Sequence, residues 1–490
     1  MSANPLFATK SMERLMEEMK GENRLRRVLG PVALTALGVG AIIGTGIFVL
    51  TGVAAHDKAG PALILSFVLA GFACACAGLC YSEFASMIPV AGSAYTYAYA
   101  TLGEFLAWII GWDLVLEYAM GSATVANGWS SHFQHLLDIF NIKIPYAWAN
   151  PPFFASAAAP AGVFNLPAAL IAALVTVILV IGIRESAGFN ATMVMVKVAV
   201  VLFVILVGIH YVHPENWHPF MPFGWKGISA GAATIFFAYI GFDSISTHAE
   251  EAKNPSRDVP IGILSSLALC TILYIAVAAV ITGMVPYNKI ALNAPVAQAF
   301  ADHGLPIAVF LISTGAVAGI TSVLLVMMLS QPRVLMAMAR DGMLPPKFFG
   351  AVHARFRTPW KSTILTGVFV ATMAGLFPIG TLSDMVNIGT LFAFTIVCAA
   401  VMIMRRIKPD HPRPFRTPFL FLVGPLGILA NFGLMLSLGW VNWIRLFIWM
   451  AIGLCIYFGY SRTRTVLHLA RLEQATGGIS KGAGRTGDLP

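Results

Sequence analysis

The chain has 490 residues, 58% of them hydrophobic and only 11% charged. Ordinary soluble domains carry about 25% charged residues, so this composition excludes a string of soluble domains and points to a polytopic membrane protein. The formal net charge of +9 would suggest nucleic acid as the partner of a soluble chain; the distribution of the basic residues, below, gives another cause, and no nucleic-acid partner is expected.

Residues 1–28 are polar and charged, and they lack the apolar stretch and small-residue cleavage site of a signal peptide. They read as a cytosolic leader. From there to residue 460 the chain reads as one transmembrane domain, and residues 461–490, ending GGISKGAGRTGDLP, as a cytosolic tail whose composition predicts disorder. A membrane span takes roughly 20 apolar residues. That criterion predicts about twelve spanning helices, at 31–54, 61–88, 96–129, 166–183, 190–212, 228–249, 261–285, 305–331, 361–378, 383–404, 417–438 and 444–460. With the N-terminus in the cytosol, most Lys and Arg residues fall in inside segments, and only Lys58, Lys143, Lys226, Lys289 and Arg445 lie outside or at the outer edge. The asymmetry follows the positive-inside rule, accounts for the net charge, and predicts that both termini are cytoplasmic.

The first run carries GVGAIIGTGIF, in which Gly38, Gly40, Gly44 and Gly46 crowd one short stretch. Glycine costs a helix about 1 kcal/mol against alanine, and a lipid-facing helix gains nothing from four of them. Two readings stand. The helix breaks here and lines a cavity, since broken backbone at membrane depth survives only there or within protein; the freed amides around Thr45 and Gly46 then form an anion site. Alternatively Gly40 and Gly44 form a GxxxG contact for close helix packing. The sixth run, with FFAYIGFDS, is interrupted at Gly241, five spans later. Paired interrupted helices in matching halves are the sign of an inverted-repeat transporter with a midplane site.

The long outer segment, about 130–165, predicts a short surface helix at 131–139 followed by irregular structure. His132, His135, His210, His213 and His218 read as pH-sensitive loop residues, since no Cys or carboxylate spacing completes a metal site. Asn190-Ala-Thr192 matches a glycosylation acceptor but falls on the cytosolic side, where it is silent. The six cysteines, Cys74, Cys76, Cys80, Cys270, Cys398 and Cys455, all lie in apolar runs and read as small core hydrophobes. No metal site is expected.

Four ionisable residues stand inside spans: Asp113, Glu117, Lys197 and Asp243. Intramembrane charges are costly and default to a functional reading. Asp113 and Glu117 are four apart, so they share one helical face, which must look into the bundle. Capping of broken helices suits Asp113 and Asp243; Glu117 suits structure and function equally. Lys197 lies deep in its run, and burial favours the neutral amine, which makes it a candidate proton carrier. Convergent catalytic groups are not found, so no enzyme activity is expected. Met327 reads as a core residue or as the side-chain end of a pocket.

The motifs GAIIGTGIFVLTG, EFASMIPVAGSAYTYAYATLGE, GWDLVLEY and FFAYIGFDSISTHAEEAKNPSRDVPIGI together resemble the cationic amino acid transporter family of the amino acid–polyamine–organocation superfamily. The resemblance runs from about Leu29 to Tyr460. It implies an all-α integral membrane fold of about 12 transmembrane helices. Ten of these form a five-plus-five, LeuT-like inverted repeat with discontinuous helices 1 and 6. It also implies proton-coupled amino acid uptake across the cytoplasmic (inner) membrane, with exchange on the same fold as the alternative. No cofactor is implied beyond the proton gradient as driving force. Carried over, the amides near Thr45 and Gly46, beside Gly44, hold the substrate carboxylate. The carbonyls of Ile42, Phe237, Ala238 and Ile240 hold its amino group. Lys197 matches a fifth-span lysine that takes the place of a sodium ion, Glu117 an acidic position near the substrate side chain, and Met327 a pocket-floor position. A bulky residue there implies small neutral substrates rather than the cationic ones of the family name. The partners expected are the amino acid and the lipid bilayer, and the outside of the bundle leaves room for a small single-span protein.

Overall fold

The computed structural model describes residues 29–87, 93–153, 161–182 and 187–466, together with Thr9 and His468. The leader, nearly all of the tail and the middle of the long outer loop lie outside the described residues. Those described fold into helices joined by short turns, with no strand longer than an isolated bridge between Leu29 and Ala252. Among the described residues, eight helical segments are long and apolar enough to cross a membrane, and Pro31–Ile42 and Leu166–Ile181 are shorter apolar helices.

The two interrupted helices run through the centre. Pro31–Ile42 is followed, after a break, by a helical course over 45–59, and Gly224–Ile235 passes through a tight turn at Phe236–Tyr239 to the short helix Ser244–Thr247. Leu34, Ile43, Ile47, Leu50, Phe236, Tyr239 and Ile245 are completely buried. At one end the two helices are stapled through their backbones, Leu29 N–H donating to Glu251 O at 3.0 Å and Lys253 N–H to Leu29 O at 2.8 Å. Around them stand Leu63–Met87, Glu104–Ile139, Pro255–Met284 and Pro306–Arg340. The last two helices, Leu420–Ser437 and Trp440–Gly459, lie at the periphery and expose Leu429, Phe432, Phe447 and Ile448. In a bilayer such a face is solvated by hydrocarbon, so apolar character does not distinguish core from surface there.

Five expectations are corrected. The run at 96–129 is not one span: Gly103, with φ of 100°, separates Ser93–Thr101 from Glu104–Ile139. The residues 131–139 are not a separate surface helix but the last turns of that 36-residue helix, which at 1.5 Å per residue is about 54 Å long and overshoots a hydrocarbon core of about 30 Å. His132 is accordingly no loop residue: it is completely buried and stands edge-on to Phe48 at 5.9 Å. Of the cysteines, Cys455 is exposed rather than core, because its helix faces outward. The start of the tail is docked rather than loose, with Ser461 Oγ donating to Met343 O at 2.7 Å and Val466 N–H to Asp341 O at 3.1 Å.

Candidate functional site

The first helix starts on Pro31, whose missing N–H is one that a helix start leaves unpaired anyway. It ends where Ile43 turns to extended backbone, φ −72° and ψ 106°. Thr45 is helical again, φ −53° and ψ −31°, and Gly46–Leu50 continues with the wider π spacing. The break therefore sits at Ile43–Gly44. Thr45 and Gly46 therefore lie in helical backbone just past the break rather than in the break itself. The reason is geometric: the unpaired amides of a helix start belong to its first turn, so the residues that present them have already adopted helical dihedrals. Thr45 is held by its hydroxyl, which reaches Val125 O at 3.4 Å.

The second break mirrors the first. After the tight turn Phe236–Tyr239, Ile240 is extended, φ −62° and ψ 135°, and Gly241 takes φ of 122°. The two breaks interlock through their glycines. A β-carbon on Gly46 would overlap the backbone of Ala238, and one on Gly241 would lie 2.9 Å from Ala41 O. No other residue type permits either approach. The consequence is that the first-turn amides of 45–59 and the last carbonyls of Pro31–Ile42 meet the irregular backbone of 236–241.

Tyr274 closes this junction. Its hydroxyl lies 2.9 Å from Ile42 O and 3.0 Å from Ala238 O, and its single hydrogen serves one carbonyl at a time. Sequence reasoning missed it: the only signal is a phenol in the apolar run TILYIAVA, which needs a polar partner when buried. Tyr274→Phe should leave both carbonyls without this donor and cost about 1–3 kcal/mol, seen as a lower Tm of the purified protein. An unchanged Tm would mean that the carbonyls find another donor.

Lys197, on Ala187–Gly208, is completely buried. Its Nζ donates to Gly40 O at 2.6 Å. Gly40 lies in the last turn of Pro31–Ile42, where carbonyls lack intrahelical donors and the helix end carries partial negative charge. Gly319 makes room for the lysine stem; a β-carbon there would lie 2.9 Å from Lys197 Cγ.

Asp113 and Glu117 share a fully buried face of Glu104–Ile139. Neither carboxylate oxygen of Asp113 has a hydrogen-bond partner among the described residues, nor does Glu117 Oε1. Asp113 makes no capping bond among the described residues; it stands in mid-helix with its carboxylate against Gly389, itself within Ile379–Ile407. Asp243 does precede Ser244–Thr247, but without a capping bond; its carboxylate accepts instead from the Tyr118 hydroxyl at 3.2 Å. Glu117 stands beside Thr390 of Ile379–Ile407.

Ala41, Tyr118, Ile240, Gly241, Asp243 and Met327 are among the residues around a narrow space of about 10 Å³, enough for about one water. Ile240 and Met327 thus meet at one space, while Thr45 and Gly46 lie across the interlock and Glu117 stands outside it. An adjoining pocket of about 80 Å³, reached past His248 and Arg333, shares Ala41, Val326 and Ser330 with it. The space at the breaks is therefore nearly filled in this conformation, with a larger, mostly apolar pocket beside it that His248, Ser322, Ser330 and Arg333 help to line.

A family model described as amino acid permease matches residues 29–460. The chain is 49% identical to a methylthioribose transporter of Bacillus subtilis (strain 168) over 463 residues, covering 94% of this chain and 99% of the relative. It is 46% identical to the branched-chain amino acid permease BcaP of the same organism over 464 residues, with the same coverage. Identity to the vacuolar cationic amino acid transporter 4 of Arabidopsis thaliana is 42%, over 80% of this chain and 65% of the plant protein.

Proposed function

This chain belongs to the amino acid permease family, a family of transporters and not of enzymes, and on that premise we propose that it carries out proton-coupled uptake of a small neutral amino acid across the cytoplasmic membrane. The proposal includes twelve spans, ten of them in a five-plus-five inverted repeat, with both termini in the cytosol. The observation that supports it best is the interlock of Gly46 with Ala238 and of Gly241 with Ala41. Helix-start amides then face helix-end and turn carbonyls across the interlock, two of which are held only by the Tyr274 hydroxyl, and this suits the two charged ends of a zwitterion. The amides at Thr45 and Gly46, beside Gly44, take the carboxylate. The carbonyls of Ile42, Phe237, Ala238 and Ile240 take the ammonium, which displaces the Tyr274 hydroxyl from the two it now shares. Met327 closes the side-chain end, Glu117 stands one layer behind, and Lys197 carries the coupling proton.

The size of the side-chain space is tested by competition against a labelled substrate. Alanine should displace it more strongly than arginine, and Met327→Ser should improve the longer side chains by about tenfold, the scale of one or two methylenes in a pocket. Stronger displacement of wild type by arginine would refute the assignment. Uptake into liposomes with and without an imposed pH gradient separates symport from exchange, since an exchanger shows counterflow without net accumulation.

A second reading rests on the 49% identity to a methylthioribose transporter. A thiosugar has neither carboxylate nor ammonium, so it would leave the amides and carbonyls of the breaks to hydroxyl groups. Displacement by methylthioribose and not by alanine would favour it.

A further inference from the structure

The helix that brings Met327 to the space at the breaks also lines the pocket beside it. Along Pro306–Arg340, Met327 borders the narrow space, Ser322, Leu329 and Arg333 border the pocket of about 80 Å³, and Val326 and Ser330 border both. Ser322, Val326, Ser330 and Arg333 follow one another at steps of three or four residues, so they form a single stripe on that helix. At 1.5 Å per residue, Arg333 stands about 9 Å further along it than Met327. The pocket therefore lies directly against the space at the breaks, on the side toward Arg340.

Arg333 is the cation of this pocket. It is exposed and makes no hydrogen bond or ion pair among the described residues. Glu251, the acidic residue whose charge acts on it, stops short of an ion pair with it. The guanidinium thus keeps its five N–H donors for water or for an anion, and its planar fork matches a carboxylate. One turn before it, the Ser330 hydroxyl donates to Val326 O at 2.9 Å, and further back the Ser322 hydroxyl donates to Gly319 O at 3.0 Å. Both spend their hydrogens on their own helix, which leaves their oxygens as acceptors. Donors at the mouth and acceptors toward the breaks match a carboxylate that leads and an ammonium that follows. The pocket has about half the volume of the roughly 150 Å³ cavity that binds benzene, so it suits the head group of an amino acid with a short side chain.

We propose that Arg333 and the pocket it borders form a second, transient substrate site, which takes the carboxylate of the amino acid between the helix breaks and the cytosol. The assignment rests on the transport reading and on its topology, in which this end of Pro306–Arg340 opens to the cytosol. It adds a substrate contact that acts on one face of the membrane only.

The test is exchange of labelled alanine by the full chain in liposomes that hold it in one orientation, with unlabelled alanine titrated on one face at a time. Arg333→Gln should raise the half-saturating concentration about tenfold on the face onto which Arg333 opens, the scale of one lost charge-assisted hydrogen bond, and leave the opposite face unchanged. Arg333→Lys keeps the charge without the fork and should raise it only about threefold. Half-saturation does not depend on how much of a variant folds, so loss of folded protein does not imitate the effect. A substitution that only shifts the balance between inward and outward forms changes both faces, in opposite senses. Such a two-sided change overturns the proposal, as do equal values for Arg333→Gln and wild type. Replacing chloride by gluconate on the Arg333 face should leave wild type unchanged; a shift there would assign Arg333 to an inorganic anion and overturn the carboxylate assignment. Absence of alanine exchange in wild type overturns the transport reading and this assignment with it, whereas exchange that Arg333→Gln leaves unaltered overturns this assignment alone.

Discussion

Replacing Lys197 with methionine is expected to abolish accumulation driven by a pH gradient while leaving substrate affinity nearly intact. Each unit of pH across the membrane is worth about 1.4 kcal/mol per proton and supports about tenfold accumulation; the variant should reach only equal concentrations on the two sides. The expectation follows from where the ammonium sits. Nζ donates to Gly40 O at 2.6 Å with the side chain completely buried, so it joins Ala187–Gly208 to the last turn before the first break. A protonated lysine is drawn to that helix end by charge as well as by the hydrogen bond. A neutral amine loses the charge contribution, and the first helix is then freer to move against the fifth span. On the proposed mechanism, proton occupancy is thereby linked to the element that shifts when access alternates. Methionine keeps the length and removes the titration. Uptake is normalised to folded protein, because a lysine with only a structural role would lower the folded fraction and leave coupling intact in what remains. Gradient-driven uptake equal to wild type after normalisation would move the proton elsewhere. Glu117 and Asp113, both buried, with one and two carboxylate oxygens respectively that lack a hydrogen-bond partner among the described residues, would then be the next residues to test.

The second large effect is expected at Gly46. Gly46→Val should weaken substrate binding by about a hundredfold or more, equivalent to about 2.7 kcal/mol. The β-carbon position of Gly46 already overlaps Ala238 Cα, and the obstacle is backbone rather than the end of a flexible side chain. The second break would have to retreat, carrying with it the carbonyls proposed for the ammonium and the cover over the first-turn amides. Overpacking of this kind costs typically about 1–3 kcal/mol in stability, so the measurement is binding by the folded fraction. Gly433→Val is the matched control, since nothing lies within 4 Å of its β-carbon position, and it should bind like wild type. Wild-type affinity in Gly46→Val would show that the interlock is packing alone, the GxxxG reading of this stretch.

Much of this protein was legible along the chain. The apolar runs predicted a helical membrane protein, because a span must satisfy its own backbone and bury apolar side chains whatever its neighbours are. The two interruptions were legible because glycine is costly in a span and four of them near Gly44, like Gly241 five spans later, need a reason. Lys197 was legible because a charge at membrane depth needs a partner. The shared face of Asp113 and Glu117 followed from helical spacing alone.

What the tertiary structure decided concerns partners and exact register. Hydropathy is summed over a window, so it merged Ser93–Thr101 with Glu104–Ile139 and missed the turn at Gly103, whose φ of 100° is a property of one residue. It also scored Cys455 with the buried cysteines, because lipid and protein interior are equally apolar. Asp113 was assigned a helix end that is not there, and Tyr274 was passed over, because the carbonyls that orient a buried polar group come from distant parts of the chain. Tyr274 reaches Ile42 across 232 residues of sequence, and Lys197 reaches Gly40 across 157. The sequence by itself determined which residues could not face lipid unaccompanied, since that is set by each side chain's own cost of transfer. Only the fold decided that Gly46 meets Ala238, that Gly40 meets Lys197, and that the break falls at Ile43–Gly44, because each depends on two surfaces brought together in space.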